Sequence, residues 1–382
     1  MCEFIYIKYA DLTLKGNNKT SFINSLYNNI KNAFCNMKIN IVKNFDNLKI
    51  YCNNSDVNYI ISILKYMPGV LYIIKAVEIN TDIEEIKKAS LNFVSPNSTF
   101  KIEVKRKYKG FLDQIEIKKS VAGYLLSNVE NLHVNVHNPN TYLWIEIKKN
   151  QSIIYSNKTK GIGGLPIGLN GSCLSLISGG IDSCVSSFLM QKKGMKVDYL
   201  TFVTSEVTQK TIKKIIGIIN RIVLTGKIYK PKLYIVDFTA IQRELSHAKD
   251  VNYRITLMRR SFYRIAEKLA IKNNYDCLCS GDSLGQVASQ TIESINAINN
   301  VLKNKIVFRP LLTYDKNEII NIAQYIHTYE LSITNHEDIC SMFAPEFPIT
   351  RPSIDKAIKN ESDLDLLEIM EDRTINNVKI FE

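Results

Sequence analysis

The chain has 382 residues, is 45% hydrophobic and 23% charged, and carries a net charge of +12. That is globular composition at a length suited to two or three domains, which excludes disordered and fibrous classes. No apolar run approaches the ~20 residues of a membrane span, and "MCEFIYIKYADLTLKG" lacks the pattern of a secretory signal, so a soluble, cytoplasmic protein with no membrane association is expected.

The charge is uneven. Residues 1–170 hold 22 Lys and Arg against 13 Asp and Glu, whereas residues 171–382 hold 27 against 24. A basic first half points to a polyanionic partner, with nucleic acid foremost. The bland alternative is the surface of a Lys- and Asn-rich chain. Eight cysteines are scattered without a CxxC pair. Cys277-x-Cys279 is too tight for the usual zinc pair, so free thiols and no protein metal centre are expected.

In chain order, "FIYIKYADLTLKG" alternates and then turns. "NKTSFINSLYNNIKNAFCNM" carries Phe22, Leu26, Ile30 and Phe34 at helical spacing, "INIVKNFDNLKIYCNN" reads as a hairpin, and Asp56–Tyr66 as a second helix. With "YMPGVLYIIKAVEIN" this makes a split βαβ, ferredoxin-like unit over 1–75. A second α/β unit over 76–165 follows, with a short helix "SVAGYLLSNVE" and two strands flanking Asn-Pro-Asn. Its strand "TFKIEVKRKYKG" holds the densest basic run: Lys101, Lys105, Arg106, Lys107 and Lys109. Such a run can follow a phosphate backbone; the alternative is an edge strand protected by lysines.

The Gly/Pro-rich Thr159–Gly171 reads as a linker. Beyond it, over 171–382, buried strands ("SCLSLI", "VDYLTFV", "KLYIVDF", "YDCLCSG") alternate with helices, the pattern of a doubly wound parallel sheet. On the helix "RITLMRRSFYRIAEKLA", Ile255, Met258, Phe262, Ile265 and Leu269 form an apolar stripe that leaves Arg259 and Arg260 off it. The tail "ESDLDLLEIMED" reads as one acidic amphipathic helix packed on its own domain.

Leu176-Ile-Ser-Gly-Gly-Ile-Asp-Ser-Cys184 follows the first strand of that sheet. Gly179 and Gly180 let backbone N–H groups approach a ligand closely, Ser178 and Ser183 add hydroxyls, and the next helix offers its positive end. That is a phosphate cradle without the Walker lysine. Asp182 is its unusual member; a carboxylate there calls for a metal or a polarised partner.

Ser-Gly-Gly-Xaa-Asp-Ser in this context resembles the PP-loop of ATP pyrophosphatases. "SGDSLGQVASQTIESINAIN", "RPLLTYDKNEII", "TKGIGGLPIG", "FKIEVKRKYKGF" and "IKYADLTLKGNNKTSF" together resemble the tRNA 4-thiouridine synthetase family, in order along the whole chain. The resemblance implies a ferredoxin-like domain, a THUMP RNA-binding domain and a C-terminal PP-loop domain. It implies Mg-ATP, tRNA, adenylation of a uridine O4 (position 8) and attack by persulfide sulfur. Adenosine is expected beside Leu176, Ile177, Thr201 and Phe202, with Arg259, Gly281 and Gln290 completing the pocket. Lys316 matches a phosphate-neutralising lysine, and Cys340 the sulfur-handling cysteine of a Glu-Asp-Xaa-Cys segment.

Three departures stand out. The chain ends soon after Cys340, so the rhodanese domain of some members is not expected. Sulfur is then expected from a cysteine desulfurase or other persulfide donor. Cys184 replaces a proline and puts a second thiol beside the loop, and Ala10-Asp11 replaces Gly-Glu. The family also implies a homodimer, and sulfur supply for the thiamine thiazole in some cases. The alternatives are another PP-loop tRNA thiolase, which would need cluster-binding CxxC cysteines, or a non-catalytic tRNA-binding protein, which would have lost Asp182.

Overall fold

In a computed structural model of the protein, the described residues are 2–10, 19–204, 209–222, 228–334, 343 and 345–381. They divide into two compact units, 1–164 and 165–382. Among them, no helix is long and apolar enough to cross a membrane.

The first unit runs β1 (Cys2–Tyr9), α1 (Lys19–Ala33), β2 (Asn40–Lys43), β3 (Asn47–Tyr51), α2 (Val57–Leu64) and β4 (Val70–Asn80). It continues with α3 (Ile83–Ser90), β5 (Thr99–Arg106), α4 (Gln114–Asn128), β6 (His133–Val134), β7 (Thr141–Ile147), β8 (Gln151–Ser156) and β9 (Thr159–Gly163). All its strands share one sheet in the order β2-β3-β1-β4-β8-β7-β5-β6, with β9 also on β4. β8 joins the ferredoxin-like and THUMP parts, pairing antiparallel with β4 on one side and β7 on the other.

The two strands flanking Asn-Pro-Asn, β6 and β7, both pair in parallel with β5. One detail differs from the sequence reading: the glycine-rich stretch expected as a linker begins as β9, antiparallel to β4. Gly161 permits this, because a Cβ there would collide with the Val70 carbonyl.

Helices α3 and α4 cover one face of the sheet, with Ile86, Ile117, Val121 and Leu125 packed against Val77, Ile79, Ile102 and Ile145. A capping box at Asp113 and Glu116 starts α4 well before the short helix read from the sequence. On β5, Phe100, Ile102 and Val104 point into this core, so by strand alternation Lys101, Glu103 and Lys105 point away from it.

The second unit begins with β10 (Ser172–Leu176), α5 (Ile181–Lys192), β11 (Lys196–Val203), α6 (Gln209–Ile222), β12 (Leu233–Asp237), α7 (Thr239–Leu245) and α8 (Arg254–Lys272). Next come β13 (Cys277–Cys279), α9 (Ile292–Asn299), β14 (Val307–Phe308), α10 (Lys316–Tyr325), α11 (Tyr329–Ser332), α12 (Ile354–Ser362), α13 (Leu367–Asn376) and β15 (Lys379–Phe381). The sheet order is β14-β13-β10-β11-β12-β15, parallel except for β15. The chain winds from β10 to one side through β11 and β12, then returns to the other side at β13. The carboxyl ends of β10 and β13 therefore flank the topological switch point, where open α/β sheets bind ligands.

The acidic tail is two helices followed by an edge strand, not one helix. Arg260 and Arg264 of α8 hold it, through Arg260 Nη2–Glu361 Oε2 at 2.8 Å and Arg264 Nη2–Glu371 Oε1 at 2.7 Å. Arg260 was expected off the apolar stripe; it is buried under this tail, at 3% exposure. A buried pair of this kind adds little over apolar packing, but losing one partner costs about 3–5 kcal/mol.

Candidate active site

The loop after β10 turns sharply at Gly179, whose φ of +82° only glycine adopts without strain. The loop is braced by its own serines: Ser183 Oγ accepts from Ser178 N–H at 3.3 Å and donates to Gly180 O at 3.2 Å. Gly180 is the N-cap of α5, so Asp182 and Ser183 lie in its first turn. The loop that follows β13 packs directly on this turn. A Cβ on Gly281 would lie 2.6 Å from Ser183 N and 2.8 Å from the Asp182 carbonyl carbon, so only glycine allows the approach.

Between these loops lies a cleft of about 320 Å³. Ten residues expected from the sequence line it: Leu176, Ile177, Ser178, Asp182 and Ser183 from the first strand and loop, Thr201 and Phe202 from β11, Arg259 from α8, and Gly281 and Gln290 from the loop after β13. Gly179 and Gly180 shape the loop and are not part of the lining. Lys316, the first residue of α10, reaches Asp182: its Nζ donates to Asp182 Oδ1 at 2.7 Å. Cys340 lies outside the described residues.

Several partners were not foreseen. Gln286 donates to Asp182 Oδ2 at 2.9 Å, so both carboxylate oxygens are engaged. Phe262 stacks on Phe202 with centroids 4.0 Å apart and 14° between planes, making an apolar wall. Asp282 is buried beneath Arg259 and also accepts from Arg309 Nε at 2.9 Å. Burial alone would raise the Asp282 carboxyl, but the two guanidiniums outweigh it and hold it down at about 2. Asp282 directly follows Gly281 in a loop leaving a buried strand, and that position is the signal that could have found it.

Cys184 is fully buried on α5, and its thiol donates to Gly180 O at 2.9 Å. Burial pushes it up to about 11, which disfavours the thiolate form that sulfur chemistry uses. In the first unit, Lys105, Lys107 and Lys109 are exposed. Lys101 Nζ pairs with Glu103 Oε1 at 2.9 Å. Arg106 is turned onto its own loop, with Nη2 donating to Lys109 O at 2.6 Å and Phe111 O at 2.9 Å.

A glycine-turned loop capping a helix at the switch point of a parallel sheet, with a cleft-lining carboxylate paired to a lysine, defines a PP-loop α/β enzyme domain. Residues 168–366 match the family described as thiamine biosynthesis protein (ThiI), 4–73 the ThiI ferredoxin-like domain, and 80–157 the THUMP domain. The probable tRNA sulfurtransferase of Malacoplasma penetrans is 52% identical over 383 residues and covers 100% of both chains. That of Ureaplasma parvum serovar 3 is 44% identical, covering 95% of this chain and 94% of its own. A crystal structure of a 4-thiouridine synthetase–RNA complex with bound ATP superposes with a TM-score of 0.91 at 30% identity, covering 100% of this chain and 99% of its own. The chain belongs to the ThiI family of tRNA sulfurtransferases and is an enzyme.

Proposed function

We propose that the protein uses ATP to place sulfur on a tRNA uridine, forming 4-thiouridine at position 8, with AMP and pyrophosphate as the other products. The observation that carries this reading is the Asp182–Lys316 pair at the mouth of the Ser178–Ser183 loop, beside an apolar slot sized for a nucleoside. The phosphates would lie over the loop N–H groups and the α5 N-terminus. Thr201, Phe202 and Gln290 would line the base and ribose side.

The hard oxygens of Asp182, Ser178 and Ser183 suit Mg²⁺. When bound, Mg²⁺ supplies charge neutralisation at the phosphates. Lys316 is poised to exchange its Asp182 contact for a phosphate oxygen. The uridine O4 attacks the α-phosphorus and pyrophosphate leaves toward the loop, a displacement accelerated chiefly by positioning and charge. Persulfide sulfur then attacks C4 and AMP departs, leaving C4 joined to the carrier cysteine through a disulfide. A second thiolate attacks the carrier's sulfur, which releases 4-thiouridine and leaves a protein disulfide; Cys340 is either the carrier or that second thiol. A cytoplasmic cysteine desulfurase or persulfide carrier supplies the sulfur, and the exposed lysines of β5 and its following loop contact tRNA backbone. We further propose a homodimer. The family's description as a thiamine biosynthesis protein supports a second sulfur acceptor, the thiamine thiazole precursor.

The test is incubation of the protein with ATP, unmodified tRNA and a sulfide source, reading the ultraviolet absorbance of thiolated uridine and the release of pyrophosphate. Thiolated tRNA with matching pyrophosphate is expected. Tight tRNA binding with neither product would overturn the reading.

A further inference from the structure

Asp282 sits one residue beyond the glycine that packs on the PP-loop, and its carboxylate bridges two guanidiniums. Oδ1 accepts from Arg259 Nη2, and Oδ2 accepts from Arg309 Nε at 2.9 Å. Ser280 Oγ at 2.8 Å and Tyr263 OH at 3.3 Å also donate to Oδ2. Arg309 is tied in turn to Asn299 Oδ1 at 2.6 Å and Tyr263 OH at 3.2 Å. The Arg259, Asp282 and Arg309 side chains are only 12%, 6% and 6% exposed. Of the two arginines, Arg259 lines the cleft and Arg309 does not.

We propose that Asp282 is a positioning residue that fixes the Arg259 guanidinium in the orientation that receives a nucleotide phosphate. This rests on the reading of the cleft as the ATP site. An arginine side chain has many rotamers to lose, and its donors form a rigid planar fork whose value lies in orientation. Asp282, through Nη2, and the Ser289 carbonyl, through Nη1 at 2.9 Å, hold that plane. Both belong to the loop between β13 and α9, whereas Arg259 comes from α8. The loop therefore presets the arginine before a ligand arrives, which lowers the ordering cost of binding. The carboxylate itself repels phosphate, so it acts through Arg259. Arg309 is the counter-anchor that keeps Asp282 ionised and fixed.

Calorimetric titration of ATP and adenosine into the full-length protein, with melting monitored, distinguishes the outcomes. Asp282→Asn preserves volume and removes the charge, but it leaves two buried guanidiniums against a neutral amide. The double variant Asp282→Asn/Arg309→Met restores the charge balance. In whichever variant folds, ATP affinity is expected to fall tenfold or more, with adenosine affinity within twofold of wild type. Unchanged ATP affinity, or equal loss for ATP and adenosine, overturns the proposal. Loss of fold in both variants assigns Asp282 to structure and overturns it as well. A wild-type protein that binds adenosine but not ATP refutes the ATP reading beneath it, and the proposal falls with it.

Discussion

Lys316 and Asp182 are 134 positions apart in the chain, yet Lys316 Nζ lies 2.7 Å from Asp182 Oδ1. The pair is partly exposed, at 43% and 22%, and a pair of that kind contributes at most about 1 kcal/mol to stability. Stability alone therefore gives this pair little to do. Asp182→Asn and Lys316→Met are each expected to reduce pyrophosphate release on the order of 100-fold while melting within a few degrees of wild type. Near-normal release from either variant would remove that residue from the chemistry.

Gly281 tests the contact between the two loops. An alanine there forces its methyl group against the backbone of Ser183 and Asp182, and such overpacking costs about 1–3 kcal/mol. Gly281→Ala is expected to lower the denaturant midpoint and to weaken ATP binding at least tenfold. A variant with wild-type affinity would show that the loops do not need this approach.

The thiols should separate by reactivity. Cys184 is buried and pushed up to about 11, so alkylation of the native protein should leave it unmodified until denaturant is added. Cys184→Ala is expected to retain thiolation within a few-fold. Cys340→Ser is expected to spare pyrophosphate release and to stop turnover with a persulfide donor. Loss of turnover in Cys184→Ala would return that cysteine to the sulfur route.

The basic run should divide in two. Lys105→Glu and Lys107→Glu are expected to weaken tRNA binding and flatten its salt dependence, as loss of phosphate contacts does. Arg106→Ala removes the two hydrogen bonds to Lys109 O and Phe111 O, each worth roughly 1 kcal/mol. It should destabilise the first unit with little change in salt slope. Urea melts and filter binding at several salt concentrations distinguish the two behaviours.

The folded-state value of Asp282, about 2, lies below that of an ordinary aspartate. A depressed carboxylate stabilises the fold above its unfolded-state pKa, and the contribution disappears as pH falls through its folded value. About 2 kcal/mol should therefore be lost between roughly pH 4 and pH 2. Urea titrations should show this added acid sensitivity in the wild type and not in Asp282→Asn/Arg309→Met. Identical slopes would mean that Asp282 is not the group concerned.

Much of the cleft was legible because its residues cluster in short segments with local signatures. Ser178–Ser183 announces itself through glycines after a buried strand. Arg259 was separable from the apolar stripe of α8, but Arg260 was not separable from Arg259. Helical spacing says which way a residue points, and only the packed tail says that Arg260 points into Glu361.

By itself, the sequence determined most of the alternation of strands and helices, the split βαβ unit and the location of a phosphate cradle; its resemblance to a family implied the THUMP and PP-loop parts. Periodicity and turn residues act over a few positions, so they survive without knowledge of the fold. Tertiary structure alone decided that β8 fuses the first two parts into one sheet and that the end of the chain returns to close an edge at β12. It also decided that Gln286 and Lys316 meet at Asp182, and that one buried carboxylate, Asp282, bonds both Arg259 and Arg309. Those are contacts across tens to hundreds of positions, set by register and by the burial of charge, and neither leaves a local pattern to read.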